Sequence, residues 1–132
     1  MEIKGIAVRP FLVADRPFIF ASFLNAYYYG NILARVAPVT EFWRFYNNKV
    51  AALVDDPGVT VSVACADNDP NLLLGMAITQ GEVIHFVFVK EPFRLLGIAK
   101  LLLGEGPHTA YSHLTRSARD LVGRMKYTPY LL

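Results

Sequence analysis

At 132 residues the chain has the length of one domain, residues 1–132, large enough to bury about two-thirds of its unfolded surface. Lys and Arg number 13 against 11 Asp and Glu, and a net charge of +2 is too balanced to mark a nucleic-acid binder by itself. The single cysteine, Cys65, excludes an internal disulfide, and although 54% of residues are hydrophobic, no apolar run approaches the ~20 residues of a membrane span. The apolar surplus is therefore assigned to a large core or to a self-association surface, which makes a homodimer one expected partner and a membrane not one. Arg9, Pro10, Asp15 and Arg16 interrupt the first apolar stretch, unlike a signal peptide, so a cytoplasmic location is expected.

Residues 3–8 alternate loosely and predict a first strand, ended by Pro10. Asp15 is placed to N-cap a helix, with Arg16 and Pro17 in its first turn and apolar residues from Phe18 to Ala26 at helical spacing. Tyr27, Tyr28, Tyr29 and Gly30 close it. A second helix is predicted over residues 40–54, with Phe42, Trp43, Phe45, Tyr46, Val50, Leu53 and Val54 inward, before the stop signal Asp55-Asp56-Pro57-Gly58. Residues 59–66 and 72–79 flank a turn at 67–71 and read as an antiparallel hairpin. Gly81 then separates a strand over residues 82–90.

The chain from Val83 to Leu103 is the most informative. An apolar, β-branched and aromatic strand ends at Pro92, and Ile98, Ala99, Leu101, Leu102 and Leu103 have helical composition, which places Gly97 in the first helical turn. The first N–H groups of a helix lack intrahelical acceptors and lie at the positive end of its dipole. Gly97 lets a ligand approach closely because it has no Cβ, and Arg94 and Lys100 add charge at the rim. Such a turn suits a diphosphate.

After a break at residues 104–107, residues 108–114 predict a fifth strand, Thr115 caps a last helix to about Met125, and residues 126–132 form a short terminal strand or tail. Between Arg94 and Lys126 the basic residues Arg94, Lys100, Arg116, Arg119, Arg124 and Lys126 are opposed only by Glu105 and Asp120.

Strand, then Arg94-x-x-Gly97-x-Ala99, then helix resembles the acyl-CoA pyrophosphate loop of the GCN5-related N-acetyltransferase (GNAT) superfamily. Val89, five before the Arg, and Pro92, two before it, match the same pattern. The element order β-α-α-β-β-β-α-β-α(-β) is similar to the GNAT order over nearly the whole chain. The resemblance implies a mixed α/β (α+β) sheet whose fourth and fifth strands run parallel and splay apart to admit acetyl-CoA, with a C-terminus too short for the family's usual final hairpin. It places the diphosphate on Arg94, Leu95, Leu96, Gly97, Ile98, Ala99 and Lys100. The pantetheine and thioester contacts fall on the backbone of Val87, Phe88 and Val89, with Thr115 at a position where relatives carry a pantetheine-binding Asn.

Acetyl transfer to an amine needs a base for the nucleophile and a proton for the departing thiolate. His85, nine before Arg94, is the candidate base, with an imidazole expected to titrate near neutral pH. In this it is similar to arylalkylamine N-acetyltransferases, although Val83 replaces the second residue of their pair. The family's acidic Tyr on the last helix is replaced by Val122, leaving Tyr127, Tyr130, Tyr111 or water. His113 is a further candidate near the end of the fifth strand, and Tyr27–Tyr29 fall where the fold covers its acceptor. No metal is expected.

The resemblance thus implies an acetyl-CoA-dependent N-acetyltransferase acting on a primary amine by direct attack in a ternary complex. Two alternatives stay open: a catalytically degenerate binding or structural module, and a transferase acting on nucleic acid or a basic protein segment. The last is not favoured, because Arg116, Arg119 and Arg124 do not share one helical face.

Overall fold

Among the described residues six strands lie side by side in chain order: β1 (Ile6–Pro10), β2 (Thr60–Ala66), β3 (Asp69–Gln80), β4 (Val83–Val89), β5 (Ala110–Tyr111) and β6 (Lys126–Tyr127). The computed structural model describes residues 2–30, 38–94, 96–104, 110–111 and 126–127. The β1–β2, β2–β3 and β3–β4 junctions are antiparallel, and β4–β5 and β5–β6 are parallel. Helices α1 (Arg16–Gly30) and α2 (Val39–Asp55) follow β1, and α3 (Ile98–Leu103) joins β4 to β5. The order matches the sequence reading as far as β5; the helix expected after Thr115 lies outside the described residues.

Strand alternation sends side chains to two faces, and each face buries a different set. Val61, Val63, Met76, Ile78 and Phe86 pack under Ile19, Phe23 and Leu24 of α1 and Val50 and Leu53 of α2. On the other face Ala64, Leu74, Ala77, Ile84 and Val87 meet Ile98 and Leu102 of α3. The rings of Phe23 and Phe86 lie 4.7 Å apart across the α1 layer. Each such buried side chain contributes about 2 kcal/mol by leaving water. Among the described residues no helix is long and apolar enough to cross a membrane.

Four local expectations change. Phe45 of α2, expected inward, is exposed, with Lys49 Nζ 5.3 Å from its ring centroid, because it falls outside the α2 face that Val50 and Leu53 turn to the sheet. β1 starts at Ile6, because the chain folds back through Gly5 at φ 83° to bridge Ile3 with Ile6, and it keeps Pro10, which an outer strand tolerates. β3 starts at Asp69, since Ala66 pairs with Asp69 across a two-residue turn. Asp15 does not cap α1 from outside the helix; it closes a 3-10 turn, Val13–Asp15, just before it. Its carboxylate accepts from both terminal nitrogens of Arg9, at 2.6 and 2.8 Å, and from the Leu12 N–H at 2.8 Å. Arg9 also donates to the Pro70 carbonyl, so one guanidinium ties β1, the α1 entry and the start of β3 together.

Candidate functional site

The site strand is irregular at one residue. Ile78 pairs with Phe86 while Thr79 pairs with Ile84, so His85 is the extra residue of a β-bulge in β4. Without the bulge, Ile84 and Phe86 would share a face; with it, Ile84 packs toward α3 and Phe86 toward α1 and α2. His85 lies fully buried, and its Nε2 is 2.9 Å from the Gln80 side-chain oxygen. Burial pushes its pKa down, opposed in part by the charge of Asp56 just beyond α2. The base candidate is thus neutral at a lower pH than a solvated histidine.

Beyond the bulge, the ladder fixes which backbone groups are available. The Lys90 N–H donates to the Leu74 carbonyl at 2.8 Å, and in an antiparallel ladder alternate residues face the same neighbour, so Phe88 and Phe86 also turn toward β3. Val87 and Val89 therefore direct their N–H and C=O groups to the opposite edge. Among the described residues β5 pairs with that edge only at Val83 and Ile84. Of the three residues expected to meet the pantetheine, Val87 and Val89 hold the open edge. Phe88 turns its backbone to β3 and its ring to the α1 layer, edge-on to Phe18 at 6.3 Å.

Past the strand, Glu91–Phe93 makes one 3-10 turn with Pro92 inside it. Arg94 then folds back: its Nε donates to the Val89 carbonyl at 2.8 Å, and its guanidinium carbon stands 5.8 Å from the Phe88 ring centroid. Gly97 is the N-cap of α3, not a residue of its first turn. It takes φ 87° and ψ 10°, the left-handed region, so the need at this position is backbone conformation as well as clearance. The first intrahelical bond runs from the Leu101 N–H to the Gly97 carbonyl, at 3.0 Å. The N–H groups of Ile98, Ala99 and Lys100 thus open from the helix start. Ile98, 1% exposed, anchors the helix in the core, while Leu96, Lys100 and Arg94 are exposed.

Gly75 completes this arrangement, and nothing in the sequence pattern singles it out. A Cβ on Gly75 would stand 2.6 Å from the Phe88 carbonyl oxygen and 3.2 Å from the Val89 Cα, so β3 and the site strand approach closely there. Gln80 is a second residue the sequence reading missed. Its signal was present: Gln80 pairs with Val83 across the Gly81-Glu82 turn, which sets residue 85 diagonally opposite on the same face.

The structure brings His85, Val87, Val89, Arg94, Leu96, Gly97, Ile98, Ala99 and Lys100 into one strand-turn-helix unit. Leu95, His113, Thr115 and Tyr130 lie outside the described residues, as do the side chains of Tyr27, Tyr28, Tyr29 and Tyr127 and the basic residues Arg116, Arg119 and Arg124. The Tyr127 backbone pairs with Tyr111 in the β5–β6 ladder. Among the described residues no group of three or more His, Cys, Asp or Glu could hold a metal ion.

No protein-family model and no curated protein matches the chain. Solved structures do. A GCN5-related N-acetyltransferase from Rhodopseudomonas palustris superposes with a TM-score of 0.50 at 17% identity, over 77% of this chain and 63% of that one. YjaB from Escherichia coli gives 0.51 at 15% identity, over 74% and 60%. The PaiA N-acetyltransferase from Thermoplasma acidophilum, in complex with coenzyme A, gives 0.51 at 14% identity, over 74% and 67%. The chain therefore spans about three-fifths of the length of the first two. With its antiparallel β1–β4 run, parallel β4–β5 step and α3 between them, the chain has the fold of the GCN5-related N-acetyltransferase superfamily.

Proposed function

We propose that the chain is an acetyl-CoA-dependent N-acetyltransferase that acts on a primary amine by direct attack in a ternary complex. The observation that carries this reading is the combination of a β4 edge that no described strand covers at Val87 and Val89 with the start of α3 at one end of the same strand. An extended amide chain finds donors and acceptors along the first, and a diphosphate finds N–H groups and the charges of Arg94 and Lys100 at the second. Bound acetyl-CoA supplies the activated acyl carbon. The residues of this chain would orient it along the Val87 and Val89 main chain; the amine would attack the acyl carbon, His85 would take the proton the amine gives up, and the C–S bond would break to release coenzyme A as a thiolate that water protonates. A coenzyme A complex of one structural neighbour, PaiA, agrees with this choice of cosubstrate.

Calorimetry with acetyl-CoA tests the reading. Saturable binding is expected in wild type, and Gly97→Glu should abolish it by setting a carboxylate and a strained left-handed residue at the diphosphate. Absence of binding at millimolar acetyl-CoA would overturn it.

The complete burial of His85 favours one second reading, a GNAT-fold module that binds acyl-CoA without turning it over. Sustained coenzyme A release with any member of an amine panel would exclude that reading.

A further inference from the structure

The buried histidine of β4 is held by a residue with no part in the acyl-CoA unit. Gln80 ends β3 and His85 is the bulge residue of β4, and the two meet across the Gly81-Glu82 turn with Nε2 and Oε1 2.9 Å apart. An amide oxygen only accepts, so the ring nitrogen facing it carries the hydrogen. Gln80 Nε2 lies 3.8 Å from the position a Gly58 Cβ would take, and that position is 3.3 Å from Asp56 Oδ1. Asp56 is itself folded into a turn by accepting the Gly58 N–H at 2.8 Å. The amide nitrogen of Gln80 thus lies toward the Gly58 turn, and its oxygen faces His85.

We infer that Gln80 is a positioning residue that holds the His85 ring through Nε2–H and so makes Nδ1 the nitrogen that accepts a proton. The register makes this arrangement possible, because Gln80 pairs with Val83 and residue 85 follows on the same face, and the bulge then turns Phe86 to that face opposite Ile78. A ring fixed in one tautomer presents its lone pair in one direction. For a base, that determines which proton it can take. Among the described residues the charged side chain whose field reaches the ring is Asp56, beyond the end of α2, while β3 contributes the neutral Gln80. The catalytic part of this inference rests on the acetyltransferase reading; the hold on the ring does not.

The test is long-range proton–nitrogen correlation on protein labelled with nitrogen-15 histidine, with His85 assigned by its loss in His85→Gln. Wild type should show a hydrogen on Nε2 and none on Nδ1, and Gln80→Leu should lose that preference. Gln80→Glu keeps the shape and the acceptor but adds a charge, so the His85 titration should move up by about one unit or more. The acid limb of acetyl transfer should move with it. A hydrogen on Nδ1 in wild type, or an unchanged pattern in Gln80→Leu, overturns the hold on the ring. An acid limb that stays put in Gln80→Glu while the His85 titration moves overturns the positioning role. Failure of wild type to bind acetyl-CoA is a separate result, read by calorimetry, and removes the acetyltransferase reading while the nitrogen spectra still decide the tautomer.

Discussion

Arg94 and Val89 are joined by a 2.8 Å hydrogen bond from the guanidinium Nε to the main-chain carbonyl, which fastens the turn before α3 to the open edge of β4. A charged donor on a backbone acceptor is among the stronger single bonds available, and Nε donation leaves the rest of the guanidinium to face an anion. Arg94→Ala removes the tether and the charge together. Arg94→Lys keeps a charge but loses the planar fork that reaches Val89 beside the Phe88 ring. Calorimetry should show about a tenfold loss of acetyl-CoA affinity in Arg94→Ala and an intermediate loss in Arg94→Lys. If the Lys variant binds like wild type, the tether to Val89 is irrelevant to the site.

Gly97 owes its identity to φ 87°. An alanine there enters the left-handed region at a cost of about 1–2 kcal/mol, whereas asparagine tolerates it better. Thermal unfolding should therefore rank wild type above Gly97→Asn and Gly97→Asn above Gly97→Ala. Equal midpoints for all three would mean that the turn relaxes to a different conformation without loss.

Gly75 tests whether the geometry of the site strand depends on its neighbour. The added methyl of Gly75→Ala would stand 2.6 Å from the Phe88 carbonyl oxygen, and its obstacle is backbone, which cannot rotate away. β3 and β4 must separate locally, at a cost of about 1–3 kcal/mol. Because Val87 and Val89 flank Phe88, acetyl-CoA affinity should fall along with stability. Gly81→Ala, a glycine with φ 57° and open space around it, is the control: it should destabilise without the same loss of affinity. Parallel losses in both variants would separate Gly75 from the site.

Much of the fold was legible because its signals are local. The alternation of residues 59–66, the stop at Asp55-Asp56-Pro57-Gly58 and the run from Val83 to Val89 each report a neighbour-by-neighbour constraint, and the elements lie within a few residues of their expected positions. The strand-turn-helix arrangement that carries the candidate site was legible because it is continuous in sequence, from Val83 to Leu103. What the sequence did not reveal depends on registers between strands. The bulge at His85 exists only relative to Ile78 and Thr79, and the close approach at Gly75 only relative to Phe88. The entry to α1 departs from expectation for a similar reason: Asp15 has an N-cap composition, but Arg9, six residues earlier, takes both carboxylate oxygens.

That ion pair predicts an acid transition. The Arg9 guanidinium holds the Asp15 carboxyl below its ordinary range, against the opposing effect of burial. A carboxylate with a depressed folded value stabilises the protein above its unfolded pKa, about 3.9, and that contribution is lost as pH falls through the folded value. Denaturant unfolding should therefore show stability dropping below about pH 4 in wild type. Asp15→Asn removes one partner of a largely buried pair and should cost about 3 kcal/mol near neutrality while flattening this acid drop. An acid drop as steep in Asp15→Asn as in wild type would assign it to other carboxylates.

His85 acts in a different window. Its pKa is depressed chiefly by burial, with Asp56 pulling weakly the other way, so the unfolded chain binds a proton at a pH where the folded chain does not. More protons on the unfolded state means that stability falls as pH is lowered from about 6.5 toward the folded value; above about 6.5 His85 adds no slope. The same depression keeps the imidazole neutral, and so competent as a base, into mildly acidic solution. Wild type should lose stability as pH falls below about 6.5, and His85→Gln should remove that slope while lowering acetyl transfer at least tenfold. The acid limb of the rate should have its midpoint below about 6.5. A midpoint at or above that value would place the titrating base on a solvated group other than the buried His85, and retention of wild-type rate in His85→Gln would exclude His85 as the base by a second route.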